Sequence, residues 1–210
     1  MSLFSNVEMA PRDPILGMTE QFNADPNPNK VNLGVGVYFD EQGKLPILQC
    51  VLAAERQLAD APKPRGYLPI DGLAAYDRAV QELAFGADSI ALRDGRIATV
   101  QTLGGTGGLK VGADFLKRLQ PDSTVLLSDP SWENHRALFT QAGFAVDTYP
   151  YYDAQAHGVR FDDMLAALRA APQGAIVVLH ACCHNPTGCD LDAAPWAQVV
   201  PVMQSRAPAP

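Results

Sequence analysis

The stretch Gln101–Lys110, Gln-Thr-Leu-Gly-Gly-Thr-Gly-Gly-Leu-Lys, constrains this chain most, because four glycines and a threonine join a short β-branched run to a helical one. Ile97-Ala-Thr-Val-Gln-Thr102 reads as a buried strand, while Leu109, Val111, Phe115, Leu116 and Leu119 recur at helical spacing. The glycines therefore fall at a strand-to-helix turn. A helix N-terminus presents unpaired N–H groups and the positive end of the helix dipole, and glycine lets an anion reach that backbone without meeting a Cβ. With the Thr106 hydroxyl as a further donor the stretch reads as a phosphate cradle; a plain glycine-rich turn is the alternative. It is not a P-loop, which needs Gly-Lys-Ser/Thr after its glycines. Nor is it a dinucleotide fingerprint, whose third glycine would stand where Lys110 does.

The flanking chain supplies the rest of an α/β pattern. Pro11, Pro14, Pro26, Pro28 and Pro46 exclude a long helix from the first 46 residues, which read as an arm with one short helical stretch from Pro14 to Phe22. Within it, Val31 to Tyr38 alternates apolar residues with Asn and Gly, a pattern for close backbone approach or for a bulge, before the turn Asp40-Glu-Gln-Gly-Lys44. Helical spacing runs from Ile47 to Asp60 and from Leu73 to Gly86, around a proline-rich loop that carries Tyr67. Strands are expected at Thr124–Asp129, Ala145–Tyr149 and Ala175–Cys182. Helices are expected up to Ala142, at Phe161–Ala170 and at Trp196–Gln204. This alternation predicts a layered α/β domain on a mostly parallel sheet, with ligand loops at the carboxyl ends of its strands. The cradle, Ser131-Trp-Glu-Asn-His135 and Cys182-Cys-His-Asn-Pro-Thr-Gly188 all fall there.

Composition narrows the function. A net charge of -7 opposes a phosphate-neutralising nucleic-acid surface and favours small-molecule chemistry. No window reaches the roughly 18 apolar residues of a membrane span, and the first residues lack a signal-peptide pattern, so a cytoplasmic location is expected. Cys50, Cys182, Cys183 and Cys189 contain no C-x-x-C pair and are expected as buried free thiols, not metal ligands.

Taken together, the cradle Gly104-Gly-Thr-Gly107, the Trp132 loop, the Cys182–Gly188 loop, Asn32-Leu-Gly-Val-Gly-Val-Tyr38 and Tyr67-Leu-Pro-Ile-Asp-Gly72 resemble the class I pyridoxal-phosphate-dependent aminotransferases, closest to the aspartate and aromatic amino acid enzymes. The resemblance runs from about Pro14 to about Met203. It implies the fold type I, three-layer α/β/α architecture with an incomplete sheet: residues 1–46 as N-terminal arm and part of the small domain, residues 47–210 as part of the cofactor-binding large domain. It implies pyridoxal 5'-phosphate as cofactor, an amino acid (aspartate, glutamate or aromatic) and a 2-oxo acid as substrates, and a homodimer. By that resemblance Gly104, Gly105 and Thr106 hold the cofactor phosphate, Trp132 stacks on the pyridine ring, and Asn185 donates to the 3-oxygen and touches the substrate carboxylate. Gly36 lies against that carboxylate, and Tyr67 reaches the phosphate in the neighbouring subunit. His135 supports the aspartate that pairs with the ring nitrogen. From the residues alone, Trp132 and Tyr67 are equally packing aromatics, Asn185 a turn residue and His135 a structural histidine.

The chain departs from the family in one respect. Its lysines are Lys30, Lys44, Lys63, Lys110 and Lys117, and none stands in the Ser-x-Ser-Lys context that carries the family's cofactor imine. That lysine, the ring-nitrogen aspartate and the carboxylate-binding arginines are expected beyond residue 210. Pro208 and Pro210 fall where a buried strand should begin, which a central strand excludes. The expectation is a truncated or frameshifted aminotransferase, with uncovered apolar faces and poor solubility, and catalytically inactive on its own. An unrelated α/β nucleotide binder is the competing class, opposed by the failed loop motifs.

Overall fold

The computed structural model describes residues 14–32 and 36–207. Leu33, Gly34 and Val35 of the Asn32–Tyr38 motif, Pro11 in the arm, and Pro208 and Pro210 lie outside the described residues. Two compact units divide between Gly66 and Tyr67.

In the first unit, α1 (Pro14–Ala24) is closed by a cation at its C-terminal end, where free carbonyls and the helix dipole favour one. Lys30 Nζ donates to the Phe22 and Asp25 carbonyls and lies 4.5 Å from the Phe22 ring centroid. Asp40 builds the expected turn: its Oδ1 accepts the Gln42 and Lys44 N–H groups, with Gly43 at φ 69°. Helix α2 (Gln49–Asp60) follows, with no buried residue.

The second unit is built on a parallel sheet. Helices α3 (Ala74–Phe85), α4 (Ile90–Arg93) and α5 (Gly104–Leu119) precede strand β1 (Thr124–Asp129). Then come α6 (Glu133–Gln141), β2 (Ala145–Pro150), a small antiparallel pair β3 (Tyr152–Asp153) and β4 (Gly158–Val159), α7 (Phe161–Ala170), β5 (Ile176–Val177) and α8 (Ala193–Arg206). The sheet order is β2-β1-β5, with Thr124 opposite Ala145 and Val125 opposite Ile176. Because side chains alternate across a strand, β1 feeds two cores. Val125 and Leu127 pack with Ala113 of α5 and with Phe139 and Phe144. Leu126 faces the other way, into Tyr149, Tyr151, Met164, Leu165, Leu168 and Val199. Helices on both faces of a parallel sheet make the three-layer α/β/α arrangement, and the near-continuous burial of β1 is what such a centre requires.

Two expected strands differ. Ile97–Thr102 joins no ladder among the described residues, and two of its backbone groups are bonded outside the sheet. Gln81 Nε2 donates to the Ile97 carbonyl and Thr99 Oγ1, and the Gln101 N–H donates to the Asp71 carbonyl. The Ala175–Cys182 run contracts to β5, extended only by the Val178 N–H donating to Leu126, before the chain turns. The cysteines are free as expected but not buried: Cys50, Cys182 and Cys183 are exposed and Cys189 half-buried, since Cys182 and Cys183 lie beyond the strand and not within it. Neither α4 nor the β3–β4 pair was legible, and α8 begins three residues before Trp196.

Gly72 couples the Tyr67–Gly72 loop to the approach to α5. Its φ is 102°, and a Cβ there would stand 2.3 Å from Gln101 Cβ. Gln101 Oε1 also accepts the Leu73 N–H at 3.0 Å. Gly72→Ala is expected to destabilise the second unit by about 2–4 kcal/mol through strain and collision, read as a lower urea midpoint at unchanged slope.

Candidate functional site

Helix α5 and β1 are joined by the short turn at 120–123 and packed through Ala113, so they run antiparallel and the first turn of α5 comes to the carboxyl end of β1. Thr106 and the glycines Gly104 and Gly105 are exposed there. Four glycines stand in the first five residues of α5, and their reasons differ. Gly104 adopts φ 66°, and a Cβ on Gly108 would meet Thr102 Oγ1 at 3.1 Å. Gly105 has neither constraint: a Cβ would meet nothing within 4 Å, so packing does not account for its missing side chain. Leu103 provides no side-chain cap, and the first turn holds no acid. Among the described residues, the Gly104 N–H is spent on Thr102 and the Gly107 N–H on Leu103, whereas those of Gly105 and Thr106 have no protein acceptor. Two free N–H donors, a free hydroxyl and a helix N-terminus suit a phosphate ester.

From the carboxyl end of β1, Pro130 and Ser131 lead to Trp132, half-buried at the start of α6. It lines a cleft of about 640 Å³ with Ser131, Asp129 and Arg136 among others. Its indole meets His135 edge-on, centroids 5.3 Å apart. After β5, residues 178–190 fold back against this loop through an imidazole–hydroxyl network. His184, 2 % exposed, shares one hydrogen bond with Ser128 Oγ at 2.9 Å and another with Thr187 Oγ1 at 2.8 Å. Its ring stacks on Tyr151 at 3.9 Å. Asp190 accepts the Cys183 and His184 N–H groups at 2.7 and 2.8 Å, which hold its carboxyl below the ordinary value. Burial, and then the Asp190 charge, push the Tyr151 phenol up to about 12, and its OH donates to the Cys189 carbonyl.

A second branch runs to His135. The Asn185 N–H donates to His180 Nδ1 at 3.2 Å, which leaves the proton of a neutral His180 on Nε2. That atom lies 3.5 Å from Ser131 Oγ, which is 2.8 Å from His135 Nδ1. With His180 and then Ser131 donating, His135 Nδ1 accepts and its Nε2 carries the proton. Burial lowers all three imidazoles: His135 further through His180, His180 against the opposing Asp190, and His184 to about 4 with His180 as second cause. All three are neutral near pH 7.

Trp132, His135 and Asn185 are thus linked through one network at the end of the sheet to which the first turn of α5 also comes. The Asn185 side chain is exposed. Tyr67 is fully exposed in the second unit. Gly36, in the first unit, lines a groove with Lys30, Val37 and Phe39. Sequence reading passed over His180, His184, Ser128, Tyr151 and Asp190. Two histidines four apart, facing a strand that ends Ser-Asp-Pro-Ser, were the available signal. Among the described residues no helix is long and apolar enough to cross a membrane, and no group of three metal-ligating side chains is present.

Residues 28–208 match the family model "Aminotransferase class I and II". The aspartate aminotransferase of Pseudomonas aeruginosa is 60% identical over 210 residues, 100% of this chain and 53% of its own length. The cytoplasmic aspartate aminotransferase of Oryza sativa subsp. japonica is 48% identical over 207 residues, 98% of this chain and 51% of its own. Among solved structures, the aromatic-amino-acid aminotransferase from Burkholderia pseudomallei covalently bound to pyridoxal phosphate matches at TM-score 0.92 and 64% identity, covering 98% of this chain and 52% of that one. The chain spans about half the length of the curated relatives it matches.

A pH dependence follows from the lowered imidazoles. Their folded values lie below the unfolded value of 6.5, so the unfolded chain takes up protons first and stability is lost as pH falls from about 6.5 towards 4. The urea midpoint is expected to be flat above pH 7 and to drop across that window, with a shallower drop in His184→Gln.

Proposed function

The chain belongs to the class I and II aminotransferases, and from that premise we propose that its second unit forms the phosphate and ring side of a pyridoxal 5'-phosphate site for amino-group transfer. The observation that carries this is the first turn of α5: two N–H donors without protein acceptors beside a glycine that packing does not require. When bound, the cofactor supplies an electron sink for the substrate carbon that loses its proton. Gly105 and Thr106 hold the phosphate through backbone N–H groups and the Thr106 hydroxyl, with Gly104 setting the turn. Trp132 covers one ring face and keeps water from it. Asn185 donates its side-chain amide to the 3-oxygen and to the substrate carboxylate; the role of Gly36 in carboxylate binding rests on the family resemblance alone. His135, neutral and with its proton on Nε2, is a donor that orients the family's ring-nitrogen aspartate. The exposed Tyr67 serves the neighbouring subunit of a homodimer. Aspartate, glutamate or an aromatic amino acid, with a 2-oxo acid, are the substrates of the whole protein, as the names of the aspartate and aromatic relatives support. The name of the rice relative supports a cytoplasmic location.

A second reading, that these 210 residues are catalytically inactive by themselves, is favoured by the lysines. Lys110 is paired with Asp114, Lys117 is bound to the Pro121 and Gly143 carbonyls, and Lys30 closes α1. Neither Lys110 nor Lys117 is free to substitute for the family's imine lysine.

Titration of the chain with pyridoxal 5'-phosphate, in competition with inorganic phosphate, tests the proposal. Trp132→Ala is expected to weaken binding roughly two- to tenfold, and Thr106→Val roughly tenfold or more by removing a donor to a charged group. Unchanged affinity in both variants would remove the site from these residues.

A further inference from the structure

Cys182 and Cys183 are consecutive, free and exposed. In a strand, neighbouring side chains point to opposite faces, but these two lie past the end of β5, and Cys183 adopts φ 52°. The two thiols stand side by side on this turn, and the neighbouring Cys182 raises the Cys183 thiol above its ordinary value, the Asp190 charge adding to it. The turn is also fixed. Asp190 accepts the Cys183 N–H at 2.7 Å and the His184 N–H at 2.8 Å, and the Gly188 N–H donates to the His184 carbonyl at 2.7 Å. Cys189 is set apart, half-buried with its sulfur donating to the His157 carbonyl, and Cys50 stands in α2 with no second cysteine near it in sequence.

We propose that Cys182 and Cys183 form a bidentate site for trivalent arsenicals on this chain, a binding activity separate from amino-group transfer. The reaction is a condensation. Both S–H bonds and the As=O bond break, two As–S bonds form, and the oxygen leaves with the two thiol protons as one water. Arsenic and sulfur keep their oxidation states. The second As–S bond closes within one turn, so its effective concentration is high and a monothiol competes poorly, whereas a small dithiol competes on equal terms. Occupation lies one residue from His184 and two from Asn185, at the turn Asp190 holds.

The native chain treated with one equivalent of phenylarsine oxide and then excess glutathione tests this by intact mass. The expected product is a single adduct weighing phenylarsine oxide less one water, mapped by digestion to the peptide carrying Cys182 and Cys183 and removed by ethanedithiol. Cys182→Ser and Cys183→Ser should each lose it, and Cys50→Ser and Cys189→Ser should keep it. The proposal is overturned by an adduct that survives in either single variant, by one that maps to Cys189 or Cys50, or by uptake only after urea. Peptide mapping on the unsubstituted chain keeps the test decisive if a serine variant fails to fold.

Discussion

Everything described in the second unit hangs on the parallel pairing of β1 between β2 and β5. A strand buried on both faces has no solvent-facing side on which to place polar groups, so the hydroxyl of Ser128 within it needs a partner inside the protein. His184 supplies that partner, and by doing so fastens the chain leaving β5 to the chain leaving β1. The loops that carry Trp132 and Asn185 are therefore held by a core requirement. A parallel sheet sends each strand's exit to the same end, which brings the first turn of α5 there too.

The imidazoles work at that end because they are neutral. Charged, three histidines with ring centroids 5.1 and 4.3 Å apart would repel one another in a desolvated setting. Neutral, each accepts at one nitrogen and donates at the other, and the chain from the Asn185 N–H to His135 gains a direction. That direction leaves the His135 Nε2–H as an outgoing donor, whereas the α5 turn offers donors that no acceptor among the described residues uses. Unspent donors at a sheet's carboxyl end are the arrangement on which the proposed phosphate site rests.

Much of this was legible in the residues. Periodicity located β1 and α7 to the residue, because an apolar run bounded by Pro121-Asp122 and Pro130, or an amphipathic one opened by two acids, leaves little choice. It failed where identity depends on a partner. Ile97–Thr102 has the composition of a strand but pairs with no strand among the described residues; Gln81 and Asp71 bond only its Ile97 carbonyl, Thr99 hydroxyl and Gln101 N–H. The cysteine run looked like buried strand because the turn at Cys183 depends on a carboxylate seven residues on. Within the candidate site, Gly104, Gly105, Thr106, Trp132, His135 and Asn185 could be named from motifs. His184 could not, since its role rests on contacts distant in sequence, with Ser128 and Tyr151, beside the neighbouring His180 ring. Gly36 and Tyr67 stand on different units, and their part rests on the family resemblance.

The most direct measurement compares pyridoxamine 5'-phosphate with pyridoxamine by calorimetric titration of the native chain. Neither ligand has an aldehyde, so surface lysines cannot form imines and confuse the result. The account predicts that the phosphate ester binds roughly 100-fold or more tightly than the unphosphorylated amine, as two or three charge-assisted hydrogen bonds at the α5 turn require. Equal affinity of the two, or binding of neither, would contradict the claim that this turn is a phosphate site.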